Sequence, residues 1–441
     1  MGVMRTGYAG DDGFMRVKIT GKELSIVWNW FRIFSLTLVC VLLLSTMSFA
    51  QHVQLQFWTP FTGPDGAYME RMVQQFNEEH TGDIEVELFI LPGGADYITK
   101  LALAIRTGAP PGVVILSPND YFRFLDNLTS WTAEELAAYG LDVADFSDNI
   151  IDSVIRDGRI YAIPLGTYCL GLYYNIDHLV AAGLEPRAPE NREEFLEYVR
   201  KLTVDKDGDR TIDQWGWYSF GGWPFRVLWQ WYTLLFQNGG SLLTEDGTRS
   251  AFFSPEGVKA LQFYVDLIHK ENVAPKDPAD PEEAFRIGML SLHVNGPWMI
   301  NLFKQQPDLN WAVAPVPVLG TERVVWGDAH IMCIPKQSPQ MTEAAIKLAK
   351  WLSDNSIEWA KAGQIPVRKS IVESDEFAAL TEQFEFAKQL PYVRFLPQTQ
   401  RLAEIESVLL EYMDAAFLGD MDPEEALDYA AEEVDDILRR R

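Results

Sequence analysis

Asp205-Lys206-Asp207-Gly208-Asp209-Arg210-Thr211-Ile212-Asp213 is the one stretch of this 441-residue chain whose residue types recur like metal ligands. Carboxylates at the first, third, fifth and ninth positions, with an apolar residue at the eighth, suit calcium, which takes six to eight oxygens. The sixth position, where such a loop turns on glycine, is Arg210, and the twelfth is Gly216 instead of a bidentate glutamate. A solvated acidic turn is therefore favoured over a calcium site at Asp205, Asp207, Asp209 and Asp213. No metal or cofactor is expected.

Covalent chemistry leaves no local signature. The chain has no G-x-S-x-G elbow, no H-E-x-x-H, no G-x-x-x-x-G-K-S/T phosphate loop and no G-x-G-x-x-G after a strand. Its six histidines are scattered without ligand spacing. Paired carboxylates of the glycosidase kind are assembled by folding, so 63 Asp and Glu residues neither support nor exclude them. Aromatic residues carry the stronger signal, because a tryptophan face covers the C–H face of a sugar ring while Asp, Asn and Arg pair its hydroxyls. Most of the 14 tryptophans belong in cores, Trp351 and Trp359 among them, with Trp217, Trp231 and Trp311 open to either role.

The elements that position these groups follow from hydrophobic period. Val53 to Trp58 alternates as a strand, Ala67 to Glu79 carries Met69, Met72, Val73 and Phe76 at helical spacing, and Ile84 to Leu91 is a second strand. A helix over Tyr97 to Arg106 precedes Val113 to Leu116, a continuous apolar run as in a strand covered on both faces. Strand and helix alternate, which predicts an α/β domain with a mostly parallel sheet. Ligands of such sheets sit beyond the carboxyl ends of strands, where Trp58, Asn119 and Asp120 fall.

Strands are also expected at Arg159 to Pro164, Gly171 to Asn175 and Ala329 to Pro335, with helices at Arg192 to Leu202, Pro255 to His269, Met341 to Leu352 and Leu402 to Phe417. Asp422-Pro423 caps the last helix. Residues from about 168 to 325 are more aromatic and read as a second domain, so a chain that leaves the first domain and returns links two lobes by more than one crossing. Leu290 to Asn295 alternates apolar with polar, the pattern of a half-buried strand, and Gly296-Pro297 stops it just before Trp298.

Residues 1–50 run from basic (Arg16, Lys18, Lys22, Arg32) through apolar Ile33 to Met47 to Ser48-Phe49-Ala50, the order of a secretory signal peptide, with the first fourteen residues as an upstream extension. A membrane anchor shares the first two parts. Cys40 follows Thr37-Leu38-Val39, without the small residue a lipidation site needs just before its cysteine. Removing this segment takes away a net +2 from a chain of net charge −26 and leaves −28. Such a surface repels phosphate backbones, so nucleic acid is a poor partner. Cys169 and Cys333 match no zinc or redox spacing and read as two small buried side chains.

The ordered motifs FW with a GPDG loop, Pro-x-V-V-x-L, Tyr-x-x-Pro-x-Gly-Thr running into LYYN, NGG, NGPW and a final PEEAL helix resemble the extracellular solute-binding proteins of sugar ABC transporters, maltodextrin-binding proteins included. The resemblance spans about residues 53 to 440. It implies two hinge-linked α/β lobes closing on a ligand cleft, with crossings near Gly166-Thr167, Asp328-Ala329 and Gly363 to Ser370. The lobes would be 51–166 plus 329–365, and 167–328 plus 366–441. By the same likeness Trp298 is a sugar-stacking platform, Asn119 and Asp120 pair hydroxyls, Tyr168 is a polar contact at a crossing, and Trp229 or Trp223 is another platform, with Trp326 a weaker one. Leu116 and Ala403 stand where the maltodextrin-binding relative has tryptophans, which speaks against maltodextrin itself. Arg394 resembles an arginine that holds phosphate in glycerol-phosphate-binding relatives; sugar hydroxyls or a surface ion pair would suit it too. The resemblance thus implies a secreted monomeric binder, in the periplasm or outside the cell, that hands a carbohydrate to ABC permease subunits. A glycerol-phosphate or phosphodiester binder and a secreted carbohydrate-active enzyme are the alternatives.

Overall fold

The computed structural model describes residues 52–218, 220 and 225–440. The segment expected to be a signal peptide, with Cys40, and Trp223 lie outside the described residues.

Parallel strands β1 (Val53–Thr59), β2 (Ile84–Ile90) and β3 (Val113–Leu116) are joined through helices Pro64–Glu79 and Ala95–Arg106. Their sequence dictates this arrangement. Val53, Leu55 and Phe57 bury one face of β1, Met69, Met72, Val73 and Phe76 bury one stripe of the first helix, and all four residues of β3 are buried. Pro64 starts that helix at a position where its missing N–H costs nothing.

A short hairpin, β4 (Ile155–Arg156) with β5 (Arg159–Ile160), precedes β6 (Ala162–Cys169) and β7 (Gly171–Asn175). Then come β8 (Trp215–Trp217), β9 (Leu290–Asn295), β10 (Trp311–Pro315), β11 (Val325–Cys333), β12 (Ile365–Pro366) and β13 (Val393–Arg394). One sheet runs β12-β6-β11-β3-β1-β2, with β13 also on β11; the other runs β10-β7-β9-β8.

Each sheet has its own apolar core. One core takes the side chains of β1 to β3, Ala162 to Leu165 and Ala329 to Ile334, and the other takes β7 to β10, Val325, Trp326 and the C-terminal helices Leu402–Leu418 and Pro423–Arg439. β6 therefore leaves one core after Leu165 and enters the other at Cys169, and β11 changes core between Trp326 and Ala329. The fold is α/β and two-lobed.

Three expectations are corrected. β9 is buried on both faces, because it lies between β7 and β8 and its polar row is covered too. In that row Ser291 pairs with His178, and Asn295 donates to Glu282 at 3.1 Å. The strand expected at Ala329 to Pro335 starts earlier, at Val325, since it runs through the crossing. The strand expected at Arg159 to Pro164 divides at Tyr161 into β5 and β6. Trp217 and Trp231 are core residues. Cys169 and Cys333 are free, buried thiols, and burial pushes both thiols up.

Candidate functional site

The expected platform turn is built from the residues upward. β9 ends at Asn295, whose side-chain oxygen accepts from the Gly296 N–H at 2.8 Å, and the Gly296 carbonyl accepts from the buried Tyr173 hydroxyl at 2.7 Å. Pro297 opens a single 3₁₀ turn, Pro297–Met299, that carries Trp298. Gly296 has φ −85° and ψ 173°, an extended conformation open to any residue. Glycine is required there for space, because a Cβ would sit 2.1 Å from the indole Cη2 and Cζ3. The ring folds back over its own turn and is held there.

Trp298 meets Tyr168 edge to face (5.5 Å, 80°) and Trp229 likewise (5.7 Å, 74°), while Trp229 stacks on Trp326 (4.5 Å, 10°). Such pairs are worth about 0.5–1.5 kcal/mol each beyond their buried area. Trp229 and Trp298 line a cavity of ≈ 500 Å³. The loop after β1, Pro60 to Asp65, lines it as well, and Tyr168, His330 and Gln364 form its floor. The cavity thus takes residues from both cores and from the strands that pass between them.

Strand register explains the floor. Tyr168 on β6 pairs with Asp328 on β11, and Thr167 pairs with Ile365 on β12, so Gln364 stands next to Tyr168 on its other side. Trp326, Asp328 and His330 alternate along β11 and share a face. Ile331 pairs with Leu116 in the antiparallel sense, which carries Asp328 beyond the end of β3 toward Asn119 and Asp120.

Charge in this region is acidic and raised in pKa. Burial lifts the Asp328 carboxyl to about 7, helped by the charge of Asp120 and opposed by bonds from the Ala329 N–H and the Tyr168 hydroxyl. Burial lifts Glu406, on the helix Leu402–Leu418, to about 8, with Asp328 and Asp120 adding to the rise. Asp120 is raised by burial against the pull of Arg123, whose Nε is 3.9 Å away. His330 is pushed down to about 3 by burial and stays neutral. Its ring packs edge-on against Phe61 at 4.8 Å.

The residues singled out from sequence divide into three groups. Tyr168, Trp229 and Trp298 line the cavity together, and Trp326 backs Trp229. Asn119 is buried beside Asp120, and its amide oxygen has no protein partner. Trp58 is half-buried against Phe89 and does not line the cavity; its carbonyl accepts from Tyr97. Arg394 also lies elsewhere, its guanidinium donating to the Gly240 carbonyl at 3.1 Å and the Ser241 hydroxyl at 2.9 Å over the face of Phe236. Asp65, Glu282, His330 and Gln364 line the cavity and were not foreseen, nor were Asp328, which pairs with Tyr168 across the strands, and Glu406, whose carboxyl acts on the buried Tyr232 hydroxyl. One signal was available: Asp328 and His330 are polar at alternate positions of an otherwise apolar strand.

The acidic loop is a different place. Asp205, Asp207 and Asp209 hold ligand oxygens within 4.8 Å of one another. Their oxygens accept loop N–H groups, from Gly208, Arg210, Asp209 and Thr211, and Asp213 accepts from Lys206. Arg210 sits at φ 73°, in the left-handed conformation that glycine would take at that position.

The profile of the bacterial extracellular solute-binding protein family matches residues 71–385. The chain is 26% identical to the maltose-bound structure of MalE3 from T. maritima, with a TM-score of 0.74 over 87% of this chain and all of that one. It is 23% identical to a lactose-binding protein of Rhizobium radiobacter over 64% of this chain and 65% of that protein. It is 21% identical to an sn-glycerol-3-phosphate-binding periplasmic protein of Pectobacterium atrosepticum over 88% and 91%. With the profile covering well over half of its length, the chain belongs to the family of bacterial extracellular solute-binding proteins.

Proposed function

We propose that this chain is the substrate-binding protein of an ABC importer, holding a mono- or oligosaccharide between its lobes and passing it intact to membrane permease subunits. One observation carries the reading: a cavity of ≈ 500 Å³, a size suited to a small ligand, lined by the rings of Trp298, Trp229 and Tyr168 together with the polar side chains of Asp65 and Gln364. The lobes are 51–166 plus 329–365, and 167–328 plus 366–441, a division favoured by the change of core along β6 and β11. Lobe closure about these strands grips and releases the ligand. The protein acts as a secreted monomer, its secretion in keeping with membership of an extracellular family. It does no covalent chemistry, in line with relatives named as binding proteins.

A glycerol-phosphate reading has a relative in its favour and the cavity against it. Of the described residues lining the cavity, none is Lys or Arg, and Arg394 is engaged elsewhere. A thermal-shift screen over sugars and polyol phosphates tests the choice, because a ligand bound only by the folded form raises the melting midpoint. Sugars are expected to raise it. A rise with polyol phosphates alone would refute the carbohydrate reading, and recovery of a chemically altered sugar would refute the binding-only role.

A further inference from the structure

We infer that Glu282 is the residue that reads the hydroxyl pattern of the ligand: its carboxylate, fixed beside the Trp298 turn, accepts a hydrogen bond from one ring hydroxyl of a neutral sugar. The inference rests on the carbohydrate reading and names the group that selects within that class.

Glu282 lines the cavity, and 31% of its side chain is exposed. Its place is set by two elements that each carry a cavity tryptophan. Asn295, at the end of β9, donates from Nδ2 to Glu282 Oε1 at 3.1 Å, while its own oxygen holds the Gly296 N–H of the Trp298 turn at 2.8 Å. Asn295 is fully buried, and its Nδ2 is 3.0 Å from His293 Nε2, so both ends of its amide are engaged. From another direction Arg226 Nη1 stands 3.4 Å from the same Glu282 oxygen. Arg226 is buried in the helix Phe225–Gln237, three residues before Trp229. Its Nη2 donates to Asp280 at 3.3 Å, whereas its Nε and Nη1 make no hydrogen bond. A buried guanidinium needs negative charge close by, which ties Glu282 to this position. Oε1 is thus held by the elements of both platforms, and among the described residues Oε2 has neither a hydrogen bond nor an ion pair.

The competing polar groups are less free. The other carboxylate of the cavity, Asp65, accepts N–H groups at the start of its own helix, from Gly63 and Gly66, and Gln364 is only 1% exposed. A sugar ring lying on an indole covers it with C–H groups and turns its equatorial hydroxyls outward along the rim, where a carboxylate beside the platform meets them. A hydrogen bond to an ionised acceptor is roughly twice as strong as a neutral one, and a site built to bond one hydroxyl rejects the analogue that lacks it. The same charge opposes a phosphate group at this place.

Isothermal titration of the full chain at pH 7 with maltose, lactose, glucose, galactose and sn-glycerol 3-phosphate finds the ligand type, and the monodeoxy analogues of the tightest-binding sugar locate the hydroxyl. In the parent, loss of one hydroxyl is expected to weaken binding by at least about tenfold. Glu282→Gln, of nearly the same shape, is expected to bind the complete sugar at least about tenfold more weakly and to shrink the penalty at that one position below about threefold, with the penalties at other positions unchanged. Coupling between a single hydroxyl and one side chain is a readout that a merely structural role would not move. Glu283→Gln, which takes a charge from the same helix Pro281–Arg286 without touching the cavity lining, is expected to keep the pattern of the parent. Melting of each unliganded variant checks folding; if Glu282→Gln does not fold, Glu282→Asp, which withdraws the carboxylate by one methylene, gives the same comparison.

Deoxy penalties untouched by the Glu282 substitution, lowered equally at every position, or changed in the same way by Glu283→Gln would overturn Glu282 as the selecting residue and leave the carbohydrate reading standing. Binding of sn-glycerol 3-phosphate alone, or of none of the five probes, would overturn the carbohydrate reading and this inference with it.

Discussion

Gly296→Ala isolates the Trp298 platform from the rest of the fold. The backbone at residue 296 tolerates a side chain, but the new methyl would lie 2.1 to 2.5 Å from three carbons of the indole. Carbon atoms pack at about 3.5–4.0 Å, so the ring must shift by about 1.5 Å or turn away. One face of an indole covers roughly a third of the 150–250 Å² that an aromatic side chain can bury, or about 60 Å². At 25 cal/mol per Å² that is about 1.5 kcal/mol, and the ring-specific part of the contact brings the total to about 1–3 kcal/mol. Complete loss of the platform in Trp298→Ala should weaken binding by about tenfold to hundredfold. Gly296→Ala should reproduce a large part of that loss while moving the melting midpoint of the unliganded protein little. Titration calorimetry of parent and both variants with one sugar, beside melting curves, gives the comparison. Unchanged affinity in Gly296→Ala and Trp298→Ala would refute Trp298 as the platform, and a large drop in melting midpoint without loss of affinity would show the turn to be purely structural.

Three further outcomes follow from the same geometry. Gly363 has φ 99°, and a Cβ there would sit 2.5 Å from the Pro297 carbonyl, so Gly363→Ala should destabilise by about 2 kcal/mol or more and disturb the Trp298 turn; urea unfolding and ligand titration read the two effects. Arg210→Gly should stabilise by roughly 0.5 kcal/mol, the relief of a left-handed conformation less the extra freedom glycine has when unfolded, and Arg210→Ala should give no gain. For pH, Asp328 and Glu406 are raised to about 7 and about 8, so the folded state holds protons that the unfolded chain has lost and stability falls as pH rises through those values. The buried histidines 178, 293 and 330 are lowered to about 4, about 3 and about 3, so their share of stability is lost as pH drops below about 6.5. The unliganded protein should therefore melt highest near pH 6.5 and lower by at least about 2 °C at pH 8.5, a difference that shrinks in Glu406→Gln; a midpoint that keeps rising to pH 8.5 contradicts the cluster.

Much of the scaffold was legible because its signals are local. The period of Met69, Met72, Val73 and Phe76, the unbroken run Val113 to Leu116 and the Asp422-Pro423 cap each name an element without reference to the rest of the chain. β9 misled because alternation reports only that side chains differ between faces. A polar face is legible as solvent-facing only when nothing covers it, and here His178 and Glu282 do. Tryptophans 217 and 231 pose the same problem, since burial of an aromatic ring depends on neighbours that the local sequence does not name.

The floor of the cleft was illegible for a stronger reason. Gln364, Tyr168 and Asp328 are far apart in sequence and become neighbours only when β12, β6 and β11 pair in one register. A shift of one residue in β11 would turn Asp328 into the core and Ala329 into the cleft. The pairing of β11 with β6 shifts register between His330 and Ile331, so that Asp328 pairs with Tyr168 where the chain passes between the two cores while Cys333 is buried in one of them. The strands that pass from one core to the other therefore also carry polar groups, Tyr168 on β6 and Asp328 and His330 on β11, at the point where they cross.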